Sequence, residues 1–128
     1  MMKGFFDGSF ANGKCSCSAV IIDKNKIVWQ KIVTLDISDS TQAEWEGLFL
    51  LLSEIHSRRI KNIHIFGDNQ SVIMGINKQV KAKKLAAYYQ KVRDIFYRIL
   101  SYTKSIYLKW IPREENTVAD ALCREGVV

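Results

Sequence analysis

The chain has 128 residues, 48% of them hydrophobic and 25% charged, which is the size and composition of one globular domain over residues 1–128. No run of residues approaches the ~20 apolar positions of a membrane span or the apolar stretch of a secretory signal, so we expect a cytoplasmic protein without a membrane partner. The formal net charge of +6 and the pI of about 9.3 favour a polyanionic partner such as nucleic acid.

The first part of the chain predicts three strands. Residues 3–7, 17–22 and 27–35 are rich in β-branched and aromatic side chains, which favour extended structure. The sequence Asp23-Lys24-Asn25-Lys26 between the second and third segments is typical of a turn. The three segments therefore predict an antiparallel meander.

The rest of the chain alternates between helices and strands. Residues 41–59 carry Trp45, Leu48, Leu52 and Ile55 at the spacing of an amphipathic helix. The later predicted elements are a strand at 63–66, helices at 71–76 and about 85–99, a strand at 106–111 and a helix at 117–124. This order predicts an α/β fold with a five-stranded mixed sheet, three strands antiparallel and two parallel, and helices on both faces.

Four acidic residues stand where predicted elements begin or end. Asp7 and Asp68 follow strands, whereas Glu44 and Asp120 open helices. Each acid taken alone also fits an ordinary structural role. These roles are a turn at Asp7-Gly8, capping boxes at Thr41 with Glu44 and at Thr117 with Asp120, and an N-cap at Asp68.

A metal site explains the four acids together. Glu44 lies four, seven and eleven positions before Leu48, Leu51 and Ile55, so its side chain follows the buried stripe of the helix. A buried carboxylate needs a compensating charge, and a cluster of carboxylates favours Mg²⁺ or Mn²⁺. The residues thus predict a metal-dependent phosphoryl-transfer enzyme that acts on nucleic acid.

Four motifs in order resemble the type I ribonuclease H family. They are Phe6-Asp7-Gly8-Ser9, Thr41-Gln42-Ala43-Glu44, Phe66-Gly67-Asp68-Asn69-Gln70 and the stretch from Trp110 to Leu122 that contains Pro112-Arg113-Glu114, Asn116 and Ala119-Asp120. The resemblance covers nearly the whole chain. It implies a ribonuclease H fold and an endonuclease that cuts the RNA strand of RNA–DNA hybrids, leaving 5′-phosphate ends. It also implies two Mg²⁺ ions, replaceable by Mn²⁺, held by Asp7, Glu44, Asp68 and Asp120.

The resemblance also implies which groups contact the hybrid. The backbone of Gly8 and Ser9 and the side chains of Asn12 and Gln70 correspond to groups that recognise RNA 2′-hydroxyls, which distinguish RNA from DNA. A lysine cluster near the position of the family's basic protrusion supplies candidate phosphate contacts: Lys78, Lys81, Lys83 and Lys84. We expect the enzyme to be a monomer.

One family feature is missing. Many members carry a histidine in the loop before the last acid, where this chain has Arg113, Glu114 and Glu115, and Arg113 or Glu114 is the candidate substitute. Two alternatives use the same fold: a module that binds hybrid or double-stranded RNA without cutting it, and a DNA endonuclease. The two histidines, His56 and His64, are predicted to be structural.

The three cysteines are expected to be reduced. Cys15 and Cys17 are too close in the chain for an ordinary disulfide, and no pair of histidines or cysteines completes a zinc site with them or with Cys123. We expect all three to pack as small hydrophobic side chains.

Overall fold

Three ten-residue strands, joined by tight turns, form one half of a sheet in a computed structural model that describes residues 2–37, 39–77 and 86–126. The strands are β1 (Met2–Ala11), β2 (Lys14–Asp23) and β3 (Lys26–Leu35). The remaining elements are α1 (Ser40–Arg58), β4 (Asn62–Gly67), α2 (Gln70–Asn77), α3 (Ala86–Leu100), β5 (Ser105–Trp110), a 3₁₀ turn at Arg113–Glu115 and α4 (Thr117–Gly126).

Both hairpin turns consist of two residues with positive φ. Asn12 and Gly13 have φ values of 54° and 72°, and Lys24 and Asn25 have φ values of 52° and 65°. Turns of this kind match the right-handed twist of the strands that they join, and asparagine and glycine tolerate them best. The predicted antiparallel meander is confirmed.

The sheet order is β3-β2-β1-β4-β5, with β1, β4 and β5 parallel to one another. The predicted mixed sheet and α/β fold are therefore confirmed. One face packs against α1, and the core on this side includes Phe6, Ile65 and Leu108. The other face packs against α4, which contacts β1, β2 and β3. Helices thus lie on both faces, as predicted.

Two helices begin at caps that differ from those that the sequence pattern suggests. The side chain of Asp39, rather than of Thr41, caps α1 and accepts a hydrogen bond from the backbone N–H of Thr41 over 2.8 Å. At α2 the Oδ1 of Asn69 accepts from the backbone N–H of Val72 over 3.1 Å. Asp68 is therefore not needed as an N-cap, and the carboxylates of Glu44 and Asp68 are left for another role.

The three cysteines are buried free thiols, as predicted. His56 stacks on Tyr102 with a centroid separation of 5.9 Å, and His64 packs edge-on against Tyr107 at 5.3 Å. No helix within the described ranges is long and apolar enough to cross a membrane.

Candidate active site

Three of the four predicted acids converge at one end of the central strands. Asp7 lies in β1, Glu44 in the first turns of α1 and Asp68 directly after β4. Each of them offers a carboxylate oxygen, and these oxygens all lie within 4.8 Å of one another. We call Asp7, Glu44 and Asp68 the carboxylate cluster. Its spacing allows a single cation to contact all three residues.

Two glycines allow the backbone of α1 to approach β1 closely enough to build this cluster. A Cβ on Gly8 would lie 2.2 Å from the backbone nitrogen of Glu44. A Cβ on Gly47 would lie 2.6 Å from the carbonyl oxygen of Asp7. Both separations are below van der Waals contact, so any side chain at either position would displace the helix. The absence of side chains therefore sets the distance between Asp7 and Glu44.

Asp68 is held from two sides. The indole Nε1 of Trp110 donates a hydrogen bond to the backbone carbonyl of Asp68 over 3.0 Å. The amide Nδ2 of Asn116 donates to the Asp68 carboxylate and to the carbonyl of Phe6, both over 2.9 Å. Asn116 is fully buried. It therefore joins the loop before α4 to β1 and fixes the orientation of the third acid.

Burial dominates the electrostatics of the cluster. Asp7 is fully buried and Glu44 is 6% exposed. Desolvation is the main cause that raises the pKa of Asp7 to about 7, and the nearby carboxylates of Asp68 and Asp120 act in the same direction. Desolvation, together with the negative charge of Asp7, also raises the pKa of Glu44. The metal-free site thus resists carrying its full negative charge.

A divalent cation fits this donor set. Both carboxylate oxygens of Asp7 and the Oε2 of Glu44 are buried without a hydrogen-bond partner in the described part of the chain. Unsatisfied buried carboxylate oxygens are costly, whereas hard cations such as Mg²⁺ and Mn²⁺ prefer such oxygen ligands. The cluster is therefore a candidate metal centre.

The fourth acid, Asp120, lies close to the cluster but outside the group of three. It is half-buried in the first turns of α4, and its side chain interacts with Asp7. The exposed guanidinium of Arg113 places its Nε 4.0 Å from the Oδ1 of Asp120. Arg113, one of the two candidates to replace the family's histidine, thus faces the fourth acid, and Glu114 is exposed in the same 3₁₀ turn.

The residues predicted to bind substrate are scattered around the cluster. Gly8 is buried against α1, and Ser9 is half-buried one position further along β1. Gln70 is exposed at the first position of α2, two residues after Asp68. Asn12 is exposed at the tip of the β1–β2 hairpin, roughly 16 Å along the strand from Asp7. The four lysines at 78, 81, 83 and 84 lie outside the described residues.

Two residues of the site are not among the predicted site residues. Asn116 and Trp110 stand in the sequence stretch that carries the family resemblance, and this position is the one sequence feature that could have indicated a role at the site. Nothing in the local pattern assigns either of them a role. The folded chain shows that both bind Asp68.

The comparisons with known proteins agree with this geometry. A family model described as reverse transcriptase-like matches residues 5–126. Ribonuclease H1 from the halophilic archaeon Halobacterium salinarum is 22% identical with a TM-score of 0.83, and the match covers 98% of this chain and 96% of that one. LC11-RNase H1, isolated from compost by a metagenomic approach and solved with an RNA/DNA hybrid, is 18% identical with a TM-score of 0.85 and coverages of 99% and 96%.

A larger viral protein contains the same fold. The protease-reverse transcriptase of prototype foamy virus is 15% identical with a TM-score of 0.78, and the match covers 98% of this chain and 20% of the viral one. The architecture of the chain is thus that of a ribonuclease H-like α/β domain. The chain belongs to the reverse transcriptase-like family, and its predicted resemblance to type I ribonuclease H is confirmed.

Proposed function

We propose that the protein is a ribonuclease H that hydrolyses the RNA strand of RNA–DNA hybrids and leaves 5′-phosphate ends. The observation that carries this proposal is the carboxylate cluster, in which Asp7 and Glu44 are buried and oxygens of all three acids lie within 4.8 Å of one another on a ribonuclease H fold. LC11-RNase H1, which has the same fold, has been solved in complex with an RNA/DNA hybrid, and this supports the choice of substrate.

The cluster and Asp120 would hold two Mg²⁺ ions, with Mn²⁺ as a substitute. Asp7 would be a ligand of these ions because it lies beside Glu44, Asp68 and Asp120. When bound, the ions supply Lewis acidity for an in-line displacement at a phosphodiester. The positive charge also offsets the desolvation, and the charge of Asp7 at Glu44, that oppose ionisation of Asp7 and Glu44 in the metal-free site.

The protein's own groups position the reaction. Asn116 directs the carboxylate of Asp68, and Trp110 fixes the backbone of Asp68. Because both donors also connect separate segments, the cluster is preorganised before substrate arrives. Arg113 faces Asp120 from solvent and can bind a phosphate oxygen or orient water there, so we assign it, with Glu114 as the second candidate, the part of the family's histidine.

Substrate recognition requires protein groups that contact both strands of the hybrid. We propose that the backbone at Gly8 and Ser9 and the side chain of Gln70 contact RNA 2′-hydroxyls, since an amide both donates and accepts hydrogen bonds. Asn12 is assigned to the same strand further along the hairpin. Lys78, Lys81, Lys83 and Lys84 are assigned to phosphates of the DNA strand.

The test is a cleavage assay with four labelled substrates: an RNA–DNA hybrid, double-stranded RNA, double-stranded DNA and single-stranded RNA. Each is incubated with Mg²⁺, with Mn²⁺ and with chelator. We expect metal-dependent cutting of the RNA strand of the hybrid alone. Asp68→Asn should abolish cutting, whereas Asp36→Asn, at an exposed position after β3, should leave it unchanged.

Three other outcomes would contradict the proposal. Cutting of duplex DNA would favour a DNA endonuclease on the same fold. Tight binding of hybrid or double-stranded RNA without cleavage by either metal would favour a binding module. Equal activity in Asp68→Asn and in the unsubstituted protein would show that the carboxylate cluster is not the active site.

A further inference from the structure

An exposed aromatic surface adjoins the carboxylate cluster on the sheet. Phe5 lies two positions before Asp7 in β1, and Phe66 lies two positions before Asp68 at the end of β4. Side chains two positions apart in a strand point to the same face, so Phe5 and Asp7 share a face. Phe5 is the register partner of Phe66, which places the two rings side by side on that face.

The rings on this face are in mutual contact. Phe5 and Phe66 stack with a centroid separation of 5.2 Å. His64 packs edge-on against Tyr107 at 5.3 Å and against Phe66 at 6.4 Å. Tyr107 in β5 is 56% exposed. The four rings therefore form a continuous row across β1, β4 and β5 that ends at an open tyrosine.

Helix α4 covers a neighbouring part of the same face. The Oγ of Ser18 in β2 donates a hydrogen bond to the carbonyl of Ala119, which seats α4 above β2 and β1. Phe5 and Phe66 remain half-buried and Tyr107 is exposed. Contiguous apolar surface that stays open to solvent is a common feature of binding sites.

The charges around the rings favour an anionic occupant. Lys3 is the register partner of His64, and Lys109 is the register partner of Phe66, so both lysines flank the row of rings. Both lysines are exposed. The acid Glu115 lines the same depression as Lys3 and partly offsets its positive charge. Exposed rings between cations are the combination that binds unpaired nucleotides, since bases stack on rings and phosphates bind lysines.

We propose that this surface binds an unpaired nucleic-acid strand. We name it the aromatic face, and it consists of Lys3, Phe5, His64, Phe66, Tyr107 and Lys109. Tyr107 is the principal stacking platform because its ring is the most exposed of the four. We infer that the strand is a single-stranded extension of the cleaved hybrid, and this identity rests on the proposed function. The binding itself requires no cleavage.

Binding is measured by fluorescence anisotropy with labelled oligo-dT and oligo-rU, each about 12 nucleotides long to span one stacking site, in chelator, where no cleavage occurs. Stacking is worth about 1–3 kcal/mol per base, which corresponds to a loss of roughly 5-fold to 150-fold in affinity for Tyr107→Ala. Tyr107→Phe keeps the ring and should retain most of the affinity. Tyr97→Ala, at a 38%-exposed tyrosine of α3, is the matched control and should bind as the unsubstituted protein does.

A second measurement tests the lysines. Single strands release about 0.7 counterions per neutralised phosphate, so a Lys3→Ala, Lys109→Ala double variant should reduce the slope of log affinity against log salt by about 1.4. The same substitutions at Lys14 and Lys31, exposed lysines of β2 and β3 that pair with no residue of the aromatic face, should leave binding intact.

Three results would overturn the proposal. The first is an absence of single-strand binding at low salt, and the second is binding that Tyr107→Ala leaves unchanged. The third is a dimer seen by sedimentation velocity that Tyr107→Ala dissociates, because a second copy would then occupy the face. Cleavage of a blunt-ended hybrid should be normal in Tyr107→Ala, which separates failure of this proposal from failure of the proposed enzymatic function.

Discussion

The buried carboxyl of Asp7 should make the metal-free protein less stable as pH rises. Burial raises its pKa from 3.8 to about 7, so the folded protein holds a proton on Asp7 more tightly than the unfolded chain does. Below about pH 4 Asp7 is protonated in both the folded and the unfolded state, so it does not lower the free energy of unfolding. As pH rises toward about 7, the unfolded chain releases this proton more readily and the free energy of unfolding falls. Above that pH the folded protein carries the full energetic cost of an ionised, buried Asp7.

The penalty corresponds to about 4 kcal/mol, because each tenfold change in proton affinity is worth about 1.4 kcal/mol. Asp7→Asn removes the titrating group and with it this pH dependence. The unpaired amide of the variant costs about 1–3 kcal/mol at every pH, so the difference in slope is more informative than the difference at one pH.

The assay is urea denaturation in chelator at several values between about pH 4 and pH 8, a range that brackets both the unfolded and the folded pKa of Asp7. The free energy of unfolding of the unsubstituted protein should fall with pH by several kcal/mol more than that of Asp7→Asn. Addition of Mg²⁺ at the alkaline end should stabilise the unsubstituted protein and leave the variant unaffected. Asp36→Asn serves as the control for an exposed acid. Parallel pH profiles for the unsubstituted protein and Asp7→Asn would contradict this account of the buried carboxyl.

Three further predictions concern packing and positioning. Gly47→Ala would put a Cβ 2.6 Å from the Asp7 carbonyl, so it should destabilise the fold by about 1–3 kcal/mol in denaturation and reduce cleavage by displacing α1. Asn116→Ala removes two buried hydrogen bonds and should cost about 1–3 kcal/mol, with a fall in kcat that Asn116→Gln does not fully restore; unchanged kcat would show that Asp68 needs no such donor. Asp39→Ala removes the α1 cap and should lower the free energy of unfolding by about 1 kcal/mol while hybrid cleavage stays intact. A loss of cleavage in this variant would show that the cap acts on the site.

The ends of the strands show where local sequence signals fail. Asp7-Gly8 is a common turn pair, and the local pattern predicts that the first strand ends at residue 7. In the structure β1 continues to Ala11, with Asp7 and Gly8 paired to Ser18 and Cys17 of β2. Pairing along the whole hairpin overrides the local preference, and the chain turns instead at Asn12 and Gly13, where both φ angles are positive.

Local sequence is sufficient to predict the order of elements, the three-stranded meander, the inward face of Glu44 and the placement of Glu44, Asp68 and Asp120 near the ends of elements, whereas Asp7 lies inside β1. These features depend on side-chain periodicity and turn chemistry, which act over a few residues. The local sequence supports helix-capping roles for Glu44 and Asp68 as well as it supports metal binding. The structure removes the need for these capping roles, because Asp39 and Asn69 cap the two helices.

How the acids meet depends on contacts between distant segments. The close approach of α1 to β1 at Gly8 and Gly47, and the bonds from Asn116 and Trp110 to Asp68, join residues far apart in the chain. Such contacts carry no local periodic signal, because each residue is ordinary in its own segment. The distance between carboxylates, their burial and hence the raised pKa values follow from packing between elements, which no single stretch of sequence specifies.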